Sequence, residues 1–256
     1  MSTPPRMVLA PNPSPMTLDG TRTFIVGTRT AVIIDPGPDL PDHLERVAAA
    51  VRDALTVTVV ITHYHPDHAS GAAALGRRLR APVRGSIGPG RLSEGDVLPT
   101  DGGELHVLET PGHAREHLAF HWPDAGAIFC GDLMMGGLDT ALVAAPEGNL
   151  TAYLESLGRL RRLAPRVIYP THGPEFADPD PALARYLEHR VAREVQVLEA
   201  LAAGARGVAE VAGHVYGNQL EPELRQWVEG TTRAYLEHLE RSGRIDGAWR
   251  SASARP

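Results

Sequence analysis

The sequence predicts an α/β fold with strands buried against helices, followed by a small helical C-terminal unit. Over roughly the first 175 residues, short Val- and Ile-rich runs alternate with helical stretches. Many of the runs end in Gly or Pro turn signals, the mark of strands packed on helices. After Asp178-Pro179-Asp180-Pro181 the β signal almost vanishes. The 256 residues are 43% hydrophobic and 22% charged, which fits a soluble globular chain and excludes wholesale disorder, collagen and coiled coil. The length allows one large domain, or one domain with an appendage.

In chain order, strands are expected at Thr23–Val26 and Ala31–Asp35, then a helix at Pro41–Ala54 and a strand at Val57–Thr62. A helix at His68–Arg80 precedes strands at Leu105–Glu109, Leu118–His121 and Ala127–Cys130. Thr151–Leu163 reads as a helix capped by Thr151, with Leu154, Leu157 and Leu160 at helical spacing, and Val167–Pro170 closes the β-rich part. Beyond it, helices are expected at Ala182–Ala202, Gly207–Val215 and Glu221–Ser242, with Gly243–Trp249 as a turn or a wing. Three helices and a small wing suggest a winged-helix-like module. From Arg190 to Arg255 nine Arg face nine Asp and Glu, so a packing or substrate-covering role is expected rather than sequence-specific DNA binding.

The net charge of −6 lacks the basic footprint of a tight nucleic-acid binder, although a local Arg patch could still hold a phosphate backbone. There is no Lys, which excludes Schiff-base and P-loop chemistry. Cys130 is the one cysteine, so no intramolecular disulfide can form, and it reads as a small buried hydrophobe. No run approaches the ~18 apolar residues that cross a bilayer. The N-terminus shows no apolar stretch of signal-peptide length. A cytoplasmic protein without membrane contact is expected.

The most informative segment is Val59-Val60-Ile61-Thr62-His63-Tyr64-His65-Pro66-Asp67-His68. An apolar strand runs straight into four metal-type side chains. His63 and His65 alternate at a strand end and can point the same way. Burying the cluster without a metal would leave polar groups unpaired. Imidazole and carboxylate suit Zn, and Fe or Mn where carboxylate is prominent. Three further fragments follow the same plan: Thr110-Pro111-Gly112-His113, Cys130-Gly131-Asp132 and Tyr169-Pro170-Thr171-His172-Gly173. Each ends an apolar run in a turn that presents His or Asp. One sheet edge would carry His63, His65, Asp67, His68, His113, Asp132 and His172. His43, His106, His189, His214 and His238 read as ordinary core or surface residues.

This motif set resembles the metallo-β-lactamase fold superfamily over about residues 7–175. The resemblance implies an αββα sandwich with two metals at its edge. His63, His65 and His113 would hold the first, and Asp67, His68 and His172 the second, with Asp132 bridging. The bridging Asp is similar to glyoxalase-II-like hydrolases and phosphodiesterases rather than true β-lactamases. The stretch Asn12–Thr23, the Asp35-Pro36-Gly37-Pro38 turn and the C-terminal segment further resemble the branch of beta-lactamase-like protein 2, an endoribonuclease type. On that reading residues 1–178 form the catalytic domain and 179–256 a winged-helix-like domain.

Two metals about 3.5–4 Å apart can lower the pKa of a bridging water toward ~7 and stabilise the oxyanion formed by its attack. The expected enzyme is therefore a dinuclear hydrolase, with two Zn(2+) per chain and Asp67 and Asp132 as the catalytic carboxylates. Cleavage of single-stranded RNA follows from the branch, and hydrolysis of a small thioester or ester from the ligand set alone. An iron-dependent redox enzyme of the same fold is a third reading. His117 could support a ligand, touch substrate or lie on the surface, Glu116 could orient a ligand His or be an exposed carboxylate, Asp35 reads as a supporting turn residue, and Tyr64 as packing or substrate-facing. Arg77, Arg78, Arg80, Arg84, Arg91, Arg159, Arg161, Arg162 and Arg166 could form a phosphate patch or simply a solvated face.

Overall fold

In the computed structural model, residues 4–219 and 221–254 are described. Their strands form two five-stranded sheets. The first sheet takes β1 (Arg6–Leu9), β2 (Arg22–Val26), β3 (Thr30–Ile34), β4 (Thr56–Val60) and β5 (Val83–Arg84) in sequence order. β1, β2 and β3 pair antiparallel, whereas β3, β4 and β5 pair parallel. The second sheet has the order β10 (Val167–Pro170), β9 (Ala127–Gly131), β8 (Leu118–Trp122), β7 (Gly103–Glu109), β6 (Val97–Thr100). Only the β10–β9 pair is parallel there.

Strand alternation explains why the sheets stack and why helices cover them. Phe24, Val26, Val32, Ile34 and Val60 turn one way, into an inter-sheet core with Val107, Phe120 and Phe129. Ile25, Ile33 and Val59 turn the other way, onto Leu44 and Val47 of α1 (Pro41–Ala50) and Leu75 of α3 (Ala72–Leu79). On the far side, Leu108, Ala119, Ile128 and Ile168 meet α4 (Leu150–Arg162) through Tyr153, Leu157 and Leu160. The layers are helix, sheet, sheet, helix, as the family resemblance implies.

The C-terminal region supplies α5 (Pro179–Ala202), α6 (Gly207–Tyr216) and α7 (Pro222–Arg241). Tyr186, Val197, Val211, Leu236 and Leu239 belong to the same buried cluster as α4 and the second sheet. Among the described residues no strand follows β10, so the expected wing is absent. Gly243 turns the chain, and Gly247–Ala254 continue as a 3-10 helix. No described helix is long and apolar enough to cross a membrane.

Local differences from the sequence reading have identifiable causes. The helix expected at His68–Arg80 is two pieces, α2 (Pro66–Ala69) and α3. Between them Gly71 donates its N–H to Gly37 O, and a Cβ there would meet Leu44 at 2.8 Å, so the chain must bend. The cap of α4 is Asn149, whose side chain accepts from the Ala152 N–H at 3.0 Å, while Thr151 bonds His238 instead. β1, β5 and β6 carry too little pattern to be recognised: β5 spans two residues, and β6 contains Pro99.

Candidate metal centre

The chain brings every predicted ligand to one edge of the sandwich. β3, β4, β7, β9 and β10 all point their C-terminal ends there, carrying Asp35, His63–His68, His113, Asp132 and His172. The Leu118 N–H donates to Thr62 O and the Arg22 N–H to Thr171 O, fastening one sheet to the other at this edge.

Donor atoms converge in three overlapping groups: His63, His65 and His113; His63, His68 and Asp132; and Asp67, His68 and His172, each within 4.8 Å. His63 Nε2 lies 2.9 Å and His113 Nε2 3.1 Å from His65 Nδ1. His172 Nε2 lies 3.2 Å from His68 Nε2 and 3.1 Å from Asp67 Oδ2. Asp132 sits between the groups, with Oδ1 3.3 Å from His68 and Oδ2 3.7 Å from His113.

Outer hydrogen bonds settle which ring nitrogens face inward. His113 Nδ1–H donates to Leu142 O at 2.7 Å, and His172 Nδ1–H to Gly20 O at 3.1 Å. His68 Nδ1–H donates to Asp35 Oδ2 at 2.8 Å. Thr62 Oγ1 spends its proton on Asp35, so it accepts from His63 Nδ1–H at 3.1 Å. His65 turns Nε2 to Glu147 at 3.3 Å. Four Nε2 atoms and His65 Nδ1 therefore present lone pairs to one another at near-contact distances. Asp132 Oδ1 is buried there with no hydrogen-bond partner. Converging lone pairs and an orphaned carboxylate oxygen repel unless cations sit among them, so the donor set fits bound metal ions.

The protonation tendencies divide the ring set. Burial holds His63 and His113 below their ordinary values, as neutral ligands must be. Burial also acts against His68 and His172, yet Asp132 beside both, with Asp35 and Asp67, outweighs it and raises them. Burial likewise opposes ionisation of Asp132, but His68 and His172 hold its carboxyl well below the usual range. The site draws positive charge.

The supporting residues sort differently. Asp35, at a positive φ of 49°, accepts from Thr62 N, Thr62 Oγ1, Thr171 Oγ1 and His68 Nδ1, each at 2.8 Å. It links both sheets to one ligand ring. His117 lies in a turn, not a helix, and is buried beneath Asp132. It accepts the Asp132 N–H on Nε2 at 3.2 Å and donates from Nδ1 to Thr110 at 3.0 Å, so it positions Asp132 and lines no part of the cavity above the cluster. Gly131 makes this possible: at φ +52° any Cβ would come within 2.5 Å of His117 Nε2. Tyr64 bonds the main chain of Ile87 and lines no part of the central cavity. Glu116 makes no hydrogen bond to these histidines. Cys130 packs on the helical side of its sheet, and burial pushes its thiol up. Sequence reasoning missed Glu147, which sits on the loop between β9 and α4 and carries no motif.

The cavity above the cluster has a volume of about 260 Å³. Asp67, Asp132 and Glu147 face it, with Met16, Leu142 and Trp227 as apolar walls and no Arg.

The sequence profile of the metallo-beta-lactamase superfamily matches residues 17–96 and 84–172. The chain belongs to that superfamily. As a metallo-beta-lactamase superfamily hydrolase it is 33% identical over 240 residues to an atrochrysone carboxyl ACP thioesterase of Aspergillus chevalieri, covering 87% of this chain and 76% of that protein. An atrochrysone carboxyl ACP thioesterase of Aspergillus terreus is 30% identical over 240 residues, covering 85% of this chain and 73% of the relative. A beta-lactamase domain protein from Burkholderia ambifaria shares the fold with a TM-score of 0.77 at 23% identity, covering 94% of this chain and 88% of that one.

Proposed function

We propose that this superfamily hydrolase is a dinuclear thioester hydrolase. His63, His65 and His113 would hold one metal and Asp67, His68 and His172 the other, with Asp132 shared. Zn is the first expectation, and the carboxylates also suit Fe or Mn. Bound metals would supply Lewis-acid polarisation of the scissile carbonyl and activation of water. The chain supplies the rest. Asp35, Leu142 O, Gly20 O and Thr62 keep the inward nitrogens free of protons. Asp67 lines the cavity, where its carboxylate is placed to accept a hydrogen bond from the attacking water. A thiolate leaves readily because thiol pKa values lie near 8.5, so the absence of Lys or Arg as a proton donor there is no handicap.

One observation carries this choice over RNA: the cavity faces carboxylates and apolar groups, not arginines. Several of the Arg residues that could have gripped a phosphate backbone are paired elsewhere. Arg159 bonds Glu94 through two nitrogens, Arg161 bonds Asp180, and Arg78 meets Glu45 at 3.2 Å. The thioesterase names of the relatives point the same way.

The test is a side-by-side assay of metal-loaded protein on an N-acetylcysteamine thioester, bis(p-nitrophenyl) phosphate and single-stranded RNA across a salt series. Thioester turnover that ignores salt is expected. RNA cutting that weakens steeply with salt, without thioester turnover, would restore the endoribonuclease reading.

A further inference from the structure

Beside the metal cavity lies a second one of about 330 Å³, and the two share Met16, Leu142 and Trp227 as walls. Each is near or below the lower end of small-molecule sites, roughly 300–1,000 Å³, so a substrate with two parts would fill both. The second cavity is lined by α5, α6, α7, the segment after β9 and the Pro15-Met16 stretch. Among the described residues its lining is mainly apolar, yet it includes His189, Arg190 and Arg193 and no Asp or Glu.

Arg190 is 2% exposed. One terminal nitrogen reaches Tyr235 Oη at 3.4 Å and the other donates to Ala141 O. Its guanidinium carbon lies 4.8 Å from the centre of the Tyr153 ring, and Nε has no hydrogen-bond partner. Among the described residues no carboxylate pairs with it, although Glu194, one helical turn on, is occupied by Arg244 and His238. Arg193 stacks on Tyr216 at 4.4 Å and, among the described residues, also has no ion pair. Burial, then Arg190 and Arg193, hold His189 below its ordinary value, as an electropositive pocket would. A buried guanidinium without a counter-charge is costly, and its planar fork matches a carboxylate.

We propose that the second cavity binds the acyl part of the substrate, and that this acyl group is apolar and ends in a carboxylate paired with Arg190 and Arg193. The proposal builds on the thioesterase reading and specifies its substrate: a thioester whose acyl chain carries a second, remote acid. Trp227 and Met16, between the two cavities, would flank the chain as it passes from the reacting carbonyl to the arginines.

The test compares N-acetylcysteamine thioesters of octanedioic acid and octanoic acid. The wild-type protein should prefer the diacid by about tenfold or more in kcat/KM, the scale of a hydrogen-bonded charge pair. Arg190→Gln should bring the ratio close to one, and Arg193→Gln should lower it by about threefold, which keeps the test open if the first variant fails to fold. A purely structural role for Arg190 would slow both probes together and leave the ratio intact. In parallel, calorimetry follows binding of octanedioic acid monoamide, which contains no thioester. Arg190→Gln should weaken it by about tenfold. No wild-type preference, or a ratio and an affinity unmoved in the variants, overturns the proposal while leaving thioesterase activity standing. Arg190-dependent binding of the monoamide without hydrolysis of any thioester upholds the anion pocket and removes the thioesterase reading.

Discussion

Replacing Asp35 by Asn changes one atom type and should disable one half of the metal centre. Asp35 Oδ2 receives three donors, Thr62 Oγ1, Thr171 Oγ1 and His68 Nδ1–H, while Oδ1 receives the Thr62 N–H. If the Asn amide nitrogen takes the Oδ2 position, the hydroxyls can rotate to accept, but the His68 ring cannot. It must shift its proton to Nε2, the atom that faces Asp132 and His172. If the amide is flipped, its nitrogen meets the Thr62 N–H, donor against donor, in a fully buried place. The first arrangement loses a charge-assisted hydrogen bond, about 1.5–3 kcal/mol, and the second strands a buried donor, about 1–3 kcal/mol. Either corresponds to roughly 10–100-fold weaker metal binding at the His68 site. The His63, His65 and His113 group should be far less affected. Chelator competition followed by metal analysis reads both sites, and circular dichroism verifies the fold. Asp35→Asn protein that binds two metals with wild-type affinity would refute the reasoning.

Removing the shared carboxylate with Asp132→Ala should lower metal occupancy and abolish turnover while the fold persists. Full loading and normal activity in that variant would show that Asp132 bridges nothing. Gly131→Ala should destabilise the protein by several kcal/mol, roughly 2–4, because the new methyl meets both a left-handed backbone and the His117 ring; an unchanged thermal midpoint would contradict this. Cys130 should resist alkylation by iodoacetamide in the native state and react only on denaturation, since burial both shields the thiol and raises its pKa. Rapid labelling of native protein would count against the described packing.

The cluster of His and Asp side chains was legible because each member is local. His63, Asp132 and His172 follow apolar runs within a few residues, and a strand end fixes where the next side chain goes. Strands buried against helices were legible in the pattern, since Phe24/Ile25/Val26 and Ile33/Ile34 are apolar on both faces and demand cover on both, whereas the two-sheet sandwich followed only from the family resemblance of the motifs. What stayed hidden was non-local. The groups that orient the rings are largely main-chain oxygens, Leu142 O and Gly20 O, which any residue could supply. The break at Gly71 depends on a turn more than thirty residues earlier. Trp227 and Met16 come from opposite ends of the chain and share no spacing with the motif. The arginines left two readings open: composition shows their number, and only the fold shows that Glu94, Asp180 and Glu45 already pair with several of them.

The C-terminal helices serve two ends at once. α5 and α7 complete the apolar cluster over the second sheet through Tyr186, Leu236 and Leu239, and α7 also extends Trp227 to the rim of the metal cavity. Cutting the chain near Asp180 would therefore not release a spare part. It would strip the sheet of its cover, and loss of solubility should come before any change of selectivity. Single exchanges on the rim are another matter. Trp227 is 47% exposed and Leu224 55%, so their replacement leaves the buried layer beneath them intact. A lineage of such proteins could thus explore new substrates by altering the outward residues of α7 one at a time, with the metals and the sheets as an unchanging base.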